Sequence, residues 1–257
     1  MYDKSTVLAE KGIRKWWDMV SIQTIIRQQQ KIADFLSAVD EVIAQSEAEV
    51  QNLEQQKKAA MQKIFPQEAR FKHEDGTDYP EWEEKELKTV ATILMGQSPS
   101  GNSVNDENNG VPLVQGKADI WGYGVIPDRY TSAPTKVSEP NDIIMTVRAP
   151  VGFVVKLGFV TCIGRGVCAI RANENEDYIY YVLQHKESEW KYIEQGSTFT
   201  AVNSDDVSSL IVPFPHKEEQ QKIAEFLSAY DEAISYAKQE LDKWKELKKG
   251  LLQQMFV

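Results

Sequence analysis

The chain has 257 residues, enough for one or two domains, and its hydrophobic fraction of 42% allows a substantial core. A formal charge of −10 argues against a protein that simply coats nucleic acid. No apolar run approaches the ~18 residues of a membrane span, and no secretion signal is visible, so the expected location is cytoplasmic.

The cysteine and histidine positions argue against a metal site. Cys162 and Cys168 have no second cysteine pair and no nearby histidine, whereas a structural zinc needs about four ligands. We therefore expect two buried, reduced thiols, and neither a metal nor a cofactor.

In chain order, residues 1–27 are apolar enough to be ordered but have no clean period, and we interpret them as an N-terminal segment left from a larger domain. Residues 28–65 then have helical periodicity up to Pro66, which cannot continue a helix. Residues 66–215 form a globular insert that begins with a polar linker, and residues 216–257 are a second long helix.

Within the insert, Trp82–Leu94 has spacing that suits a short helix, and Asp177–Lys191 predicts another. Short runs of β-type residues, broken by Gly, Pro, Asn and Asp, predict strands. These strands are Val111–Gln115, Gly124–Ile126, Asp142–Val147, Gly152–Val155, Val160–Ile163, Val167–Ile170 and Ser208–Val212.

The two long helices are copies of each other. Gln29–Ile43 reads QQKIADFLSAVDEVI and Gln220–Ile234 reads QQKIAEFLSAYDEAI, an offset of 220 − 29 = 191 with three mismatches. In both copies apolar residues alternate spacings of three and four, which is a heptad seam. Lys57 and Lys248 occupy one equivalent seam position, either to fix the register or as tolerated positions at the solvent edge.

This order of elements predicts an α+β fold. Because the ends of a compact insert are usually close together, the two helices should pair side by side as an antiparallel coiled coil, with the β-rich insert between them.

Five stretches of the insert have the composition of loops that present side chains: residues 96–101, 115–117, 147–152, 162–166 and 196–203. Each alone is equally explained as a turn. Arg148 before Ala-Pro and Arg165 between two glycines nevertheless have stiff supports, from which a guanidinium can bind phosphate or guanine bidentately.

These motifs resemble the specificity (S) subunit of Type I restriction–modification systems. The resemblance rests on EEQQKIAEFLSAYDEAI after IVPFP, on the copy QQQKIADFLSAVDEVI, and on GQSPS, PLVQGKADI, DIIMTVRAPVG, CIGRGVCAIR and GSTFTAVN. It implies that the insert is a target recognition domain that reads a half-site in double-stranded DNA. It also implies that the helices space such domains and dock methyltransferase (M) subunits, and through them the restriction (R) subunit.

The resemblance gives two sets of candidate residues. The DNA-binding candidates are Gln97, Ser98, Gln115, Lys117, Arg148, Arg165, Thr198 and Thr200. The methyltransferase-docking candidates are repeated polar positions, whose identity recent duplication would also explain: Gln29, Lys31, Asp40, Gln220, Lys222 and Asp231.

The chain departs from the family pattern of two recognition domains, since it contains only one. We therefore expect a half-length or truncated subunit that works as a homodimer. A coiled-coil adaptor that does not bind DNA, or an inactive truncated copy, is the alternative.

Catalysis by the chain itself is not expected. The sequence has neither an S-adenosylmethionine loop of the FxGxG type nor a DPPY-like tetrapeptide. Asp78, Glu83 and Lys85 fit a nuclease pattern loosely, but acids and lysines are also common near helix starts.

Overall fold

The computed structural model describes residues 4–121, 124–125, 128–190 and 202–255. The chain forms two compact units, one made of Met1–Gln55 with Glu232–Val257 and the other of Gln56–Asp231. We call the first the coiled-coil unit and the second the recognition unit.

The structure contains two long helices and several short ones. They are α1 (Lys4–Ile64), α2 (Leu87–Val90), α3 (Glu176–His185), α4 (Ser204–Ser208) and α5 (Lys217–Met255). Helix α1 begins far before the expected start near residue 28. The lack of an apolar period in residues 4–27 was therefore misleading, because periodicity reports a buried face and not helicity itself.

In the coiled-coil unit, α1 and α5 run antiparallel. Three ion pairs of 2.5–2.8 Å show this direction, because the residue number of the α5 partner rises as that of the α1 partner falls. They are Glu54–Lys238, Glu47–Lys245 and Asp40–Lys248. Between the helices, the seam residues Val39, Val50, Ile234 and Leu241 are buried. The predicted antiparallel pairing is confirmed, although Ile32 at the start of the seam is 41% exposed.

The recognition unit is built on two four-stranded sheets and two ribbons. Its strands are β1 (Glu83–Glu86), β2 (Ala91–Met95), β3 (Val104–Asn105), β4 (Val111–Val114), β5 (Ile120–Trp121), β6 (Gly124–Val125), β7 (Tyr130–Thr131), β8 (Ile143–Thr146), β9 (Val154–Lys156), β10 (Cys162–Ile163), β11 (Val167–Ala172) and β12 (Ile211–Phe214). The central sheet is antiparallel with the order β2-β11-β8-β9, and the second sheet has the order β10-β4-β7-β3. The ribbons are β1-β12 and β5-β6.

The central sheet is covered on both faces. Along β8, Ile143 and Met145 belong to the core that contains α3, whereas Ile144 belongs to a core shared with Val114 and Ile163 of the second sheet. Because successive side chains of a strand point to opposite faces, a sheet buried on both sides reads as a continuous apolar run. That is why the predicted strands at Asp142–Val147 and Val167–Ile170 are confirmed.

Two local predictions were wrong. Trp82–Leu94 is not a helix, because its residues form β1, the single turn α2 and β2. The last strand lies at Ile211–Phe214, while α4 precedes it, capped by the Asn203 side chain. Pro213 is tolerated inside β12 because a two-stranded ribbon leaves one edge without ladder hydrogen bonds.

The last turns of α1 and the first turns of α5 belong to the recognition unit. Ile64, Phe65, Ile223 and Leu227 lie in the same core as Tyr178 of α3. This arrangement confirms a β-rich domain inserted between two long helices.

A partly buried ion pair holds these helix ends to α3. The ammonium of Lys57 donates to Asp231 (2.7 Å) and to Gln184 (3.0 Å), and the Tyr181 hydroxyl donates to the other oxygen of Asp231 (2.8 Å). Under the repeat offset of 191, Lys57 is equivalent to Lys248 (57 + 191 = 248) and Asp40 to Asp231 (40 + 191 = 231). The pair Lys248–Asp40 of the coiled-coil unit is therefore the repeat equivalent of Lys57–Asp231. Lys57 is thus a paired, buried seam residue and not a tolerated one at the solvent edge.

Candidate nucleic-acid interface

Five strands of the recognition unit end or begin at one edge. In the central sheet, Met95 at the end of β2 pairs with Cys168, and Thr146 at the end of β8 pairs with Val167 at the start of β11. In the second sheet β4 and β10 are parallel, so both end on the same side. The loops of residues 96–98, 115–117, 147–150 and 164–166 therefore leave one edge of the unit, which we call the loop edge.

Backbone hydrogen bonds tie these loops together. The Gly96 amide donates to the Val167 carbonyl (3.0 Å), and the Gln97 amide donates to the Ile163 carbonyl (2.8 Å). The Gly164 amide donates to the Val114 carbonyl (2.7 Å). The Val147 amide donates to the Gly166 carbonyl (2.9 Å), so the structure joins the stretches at residues 96–101, 115–117, 147–152 and 162–166.

Glycine is required where the loops cross. A Cβ on Gly166 would lie 2.0 Å from the Gln115 carbonyl oxygen, and a Cβ on Gly96 would lie 2.1 Å from the Gly164 carbonyl oxygen. Real side chains do not approach backbone this closely, so the loops pack backbone against backbone. The loop edge is consequently a stiff platform.

Two arginines project from this platform. Arg165 is exposed although Gly164 and Gly166 on either side of it are buried, and Arg148 is exposed next to Val147, whose amide donates to Gly166 (2.9 Å). Neither guanidinium forms an ion pair with a residue that the structure describes. The remaining arginines of the recognition unit are all paired with carboxylates, Arg70 with Glu219, Arg129 with Asp119 and Arg171 with Asp142.

The polar candidates around Arg165 are partly buried. The Ser98 hydroxyl accepts from the Arg165 backbone amide (3.2 Å) and lies 3.4 Å from Gln115 Oε1. Gln97 is exposed beside it. The structure thus brings Gln97, Ser98, Gln115, Arg148 and Arg165 to one place.

Lys117 lies at the same loop but is half-buried, with its ammonium over the Phe153 ring. Burial lowers its pKa, against a smaller opposing effect of Glu187. The cation–π contact indicates a lysine that anchors its loop.

Thr198 and Thr200 lie in residues 191–201, outside the described residues. The described residues on either side of that segment both contact the loop of residues 147–152. The Val202 amide donates to the Val147 carbonyl (2.8 Å). A Cβ on Gly152 would lie only 2.2 Å from Cδ1 of Trp190, so the Trp190 ring occupies that space.

Sequence reasoning missed a fifth loop, residues 132–136. The Thr135 hydroxyl donates to the Gln97 carbonyl, and the Lys136 carbonyl accepts from the Ile163 amide (2.9 Å). No glycine or arginine motif marks this loop. Its basic residue at the loop edge was therefore overlooked.

The docking candidates differ between the two copies. Gln29 and Lys31 are exposed, and Asp40 pairs with Lys248. In the second copy, Lys222 donates to the Lys72 carbonyl (2.6 Å), while Asp231 pairs with Lys57 as Asp40 pairs with Lys248 but is less exposed.

Gln220 is a correction, because it was expected at an exposed position and is fully buried. Its amide nitrogen donates to the Pro215 carbonyl (3.0 Å) where α5 begins. Part of the identity between the repeats thus reflects packing of the recognition unit.

The residues that loosely fit a nuclease pattern form separate ion pairs. Asp78 pairs with Lys72 (3.0 Å) and Glu83 with Lys85 (2.9 Å). Cys162 and Cys168 are both buried and free, as expected. In the described ranges no cluster of three or more His, Cys, Asp or Glu side chains could hold a metal ion, and no helix could span a membrane.

Comparison with known proteins identifies the family. Residues 79–245 match the family model for the Type I restriction modification DNA specificity domain. The type I restriction enzyme MjaX specificity subunit assigned in Methanocaldococcus jannaschii is 35% identical over 237 residues, which are 88% of this chain and 56% of that protein.

Solved structures agree with this match. The HsdS subunit from Thermoanaerobacter tengcongensis aligns with a TM-score of 0.61 at 29% identity, over 87% of this chain and 56% of that one. A chain from the structure on complex assembly and conformational transition of the type I R-M system aligns with a TM-score of 0.63 at 30% identity, over 90% and 58%. The chain spans just over half the length of these relatives, and it belongs to the family of type I restriction–modification DNA specificity subunits.

Proposed function

We propose that this chain reads one half-site of a DNA target through its loop edge, on behalf of a type I restriction–modification complex. The observation that carries the proposal is the contrast among the arginines of the recognition unit. Arg70, Arg129 and Arg171 are paired with carboxylates, whereas Arg148 and Arg165 project from rigid supports without a described partner.

Local charge supports this assignment against the acidic total. Residues 115–171 contain seven basic and four acidic side chains. Two of those acids, Asp119 and Asp142, are buried and neutralised by Arg129 and Arg171. With a net charge of 7 − 4 = +3, this segment is more favourable to DNA than the formal charge of −10 suggests.

The experiment is equilibrium binding to a duplex that the wild-type chain has selected from a randomised pool, measured by fluorescence anisotropy at several salt concentrations. Arg148→Ala and Arg165→Ala should each weaken specific binding by about 5- to 150-fold, because a bidentate base contact is worth ~1–3 kcal/mol. Affinity should fall steeply with salt, as expected when phosphate contacts release counterions.

Arg27→Ala is the matched control, because it removes the same side chain from an exposed position of α1. Thermal unfolding checks that each variant is folded. Binding of both loop-edge variants at the wild-type level would contradict the assignment of Arg148 and Arg165. Failure of the wild-type chain to select or bind any duplex would favour the alternative of a coiled-coil adaptor that does not bind DNA.

The proposal includes docking of methyltransferase subunits to the helices, and of the restriction subunit through them. Catalysis then belongs to those partners, in the cytoplasm. Lys31→Glu should reduce co-purification with the methyltransferase subunit, because Lys31 is exposed and free of the backbone contact that engages Lys222. Lys63→Glu, an equal charge reversal at an exposed position outside the repeated polar set, should leave co-purification unchanged.

We also propose that the working form is a homodimer. One recognition unit covers one half-site, and closed two-fold pairing is the commonest assembly of soluble homo-oligomers. Two identical units in opposite orientation read an inverted repeat with a spacer. Light scattering at micromolar concentration should show a dimer, and a monomer or an asymmetric motif dependent on this chain alone would contradict the homodimer.

A further inference from the structure

The loop that contains Gln115 is held by a buried carboxylate. Oδ2 of Asp119 accepts from the Gln115 amide (2.6 Å) and the Gly116 amide (3.0 Å), while Oδ1 accepts from the Arg129 guanidinium (2.6 Å). The Asp119 side chain is only 5% exposed. A carboxylate is costly to bury unless such donors satisfy it, so this one fixes the geometry of the turn.

The Gln115 turn, fixed in this way, supports the backbone on both sides of Arg165. The Gln115 carbonyl occupies the space that a Gly166 side chain would need. A Cβ on Gly164 would likewise lie only 2.7 Å from Cγ of Gln115. A shift of the Gln115 turn would therefore be transmitted directly to the segment that carries Arg165.

Ser98 supports the same arginine from the opposite loop. Its hydroxyl accepts from the Arg165 amide (3.2 Å), and it is half-buried between the Gln115 and Arg165 loops. The neighbouring Ser100 is exposed and lacks such a contact to the Arg165 loop, so it offers a matched control.

We infer that Asp119 and Ser98 are positioning residues, which hold the Arg165 guanidinium in the orientation that discriminates between bases without touching DNA themselves. This inference rests on the proposed function of the loop edge. Base reading requires a guanidinium aligned with one base edge, whereas attraction to phosphate tolerates displacement. Loss of a positioning residue should therefore reduce discrimination more than overall affinity.

The test compares binding of the full-length chain to its selected duplex and to the same duplex with one base pair of the half-site changed. Asp119→Ala and Ser98→Ala should each reduce the ratio of the two affinities by about tenfold, with little change in the salt dependence of binding. Ser98→Ala should melt close to the wild type, whereas Asp119→Ala should melt lower because it leaves two backbone amides and Arg129 without their acceptor, so binding is compared well below the melting temperature. Asp119→Asn should retain more of the ratio than Asp119→Ala, since its amide oxygen can still accept from both backbone amides, although its amide nitrogen only donates and loses the Arg129 contact. Ser100→Ala should behave as the wild type.

The outcomes separate the inference from the function on which it rests. No discrimination by the wild-type chain refutes the proposed function itself. If Asp119→Ala and Ser98→Ala both retain discrimination, the positioning role is refuted and the proposed function stands. The same conclusion follows if Asp119→Asn loses as much discrimination as Asp119→Ala. If Asp119→Ala does not fold, Ser98→Ala against Ser100→Ala decides, because wild-type discrimination in Ser98→Ala overturns the inference.

Discussion

The repeated ion pair allows a stability prediction with an internal control. Lys57→Ala removes a lysine that is 6% exposed and leaves Asp231 with only the Tyr181 hydroxyl among the partners described above. Breaking a fully buried pair costs ~3–5 kcal/mol, and because the Asp231 side chain is 31% exposed we expect about 2–3 kcal/mol.

The equivalent change in the second copy is Lys248→Ala. The side chains of Lys248 and Asp40 are 34% and 52% exposed, so water can solvate the carboxylate that remains. Exposed pairs contribute ~0–1 kcal/mol, and the variant should unfold close to the wild type.

The stability of both variants is measured by urea unfolding, which is monitored by tryptophan fluorescence and by circular dichroism. The fluorescence midpoint should fall clearly for Lys57→Ala and stay nearly constant for Lys248→Ala, at an unchanged slope. Equal destabilisation by the two variants would refute the argument that burial beneath α3 distinguishes the two copies of the pair.

Other properties follow from single contacts. Gly166→Ala should disrupt DNA binding, whereas Gly158→Ala should not, because a Cβ at Gly158 meets nothing within 4 Å. Burial raises the pKa of Cys168 to about 12, so alkylation by iodoacetamide at pH 8 should require unfolding, and rapid native labelling would contradict this. Burial, assisted by Lys186, lowers the pKa of His185 below its usual value near 6.5, so the unfolded state binds the proton first and stability should fall as the pH drops below about 6.5. His185→Gln should reduce that fall.

The sequence predicted best where a pattern repeats or where a face is buried. The two copies of the heptad seam predicted the long helices, because apolar spacing determines which side of a helix is buried. Their antiparallel pairing was predicted from the insert, because the ends of a compact domain are usually close together. The apolar runs of β8 and β11 predicted strands for the same reason. The loop edge could be predicted in part, since Gly-rich turns next to Arg148 and Arg165 mark exposed side chains on stiff supports.

The remaining features depend on tertiary context. Gln29 and Gln220 occupy the same position in nearly identical segments, yet one is exposed and the other buried, because only the second lies against the recognition core. Asp119 lies in the PLVQGKADI motif, but its role could not be predicted, because it depends on the backbone amides that fold back onto it. Residues 82–94 alternate too irregularly to separate a helical turn from the short strands β1 and β2 that flank it.

We propose that this chain determines a DNA target through Arg165 and its neighbours. The most direct measurement is the methylome of cells that carry the chain with its cognate methyltransferase subunit, compared with cells that carry Arg165→Ala. The account predicts one methylated motif that depends on the chain, and loss or relaxation of that motif at one or more bases in the variant. Methylation that does not depend on the chain, or an unchanged motif with Arg165→Ala, would contradict it.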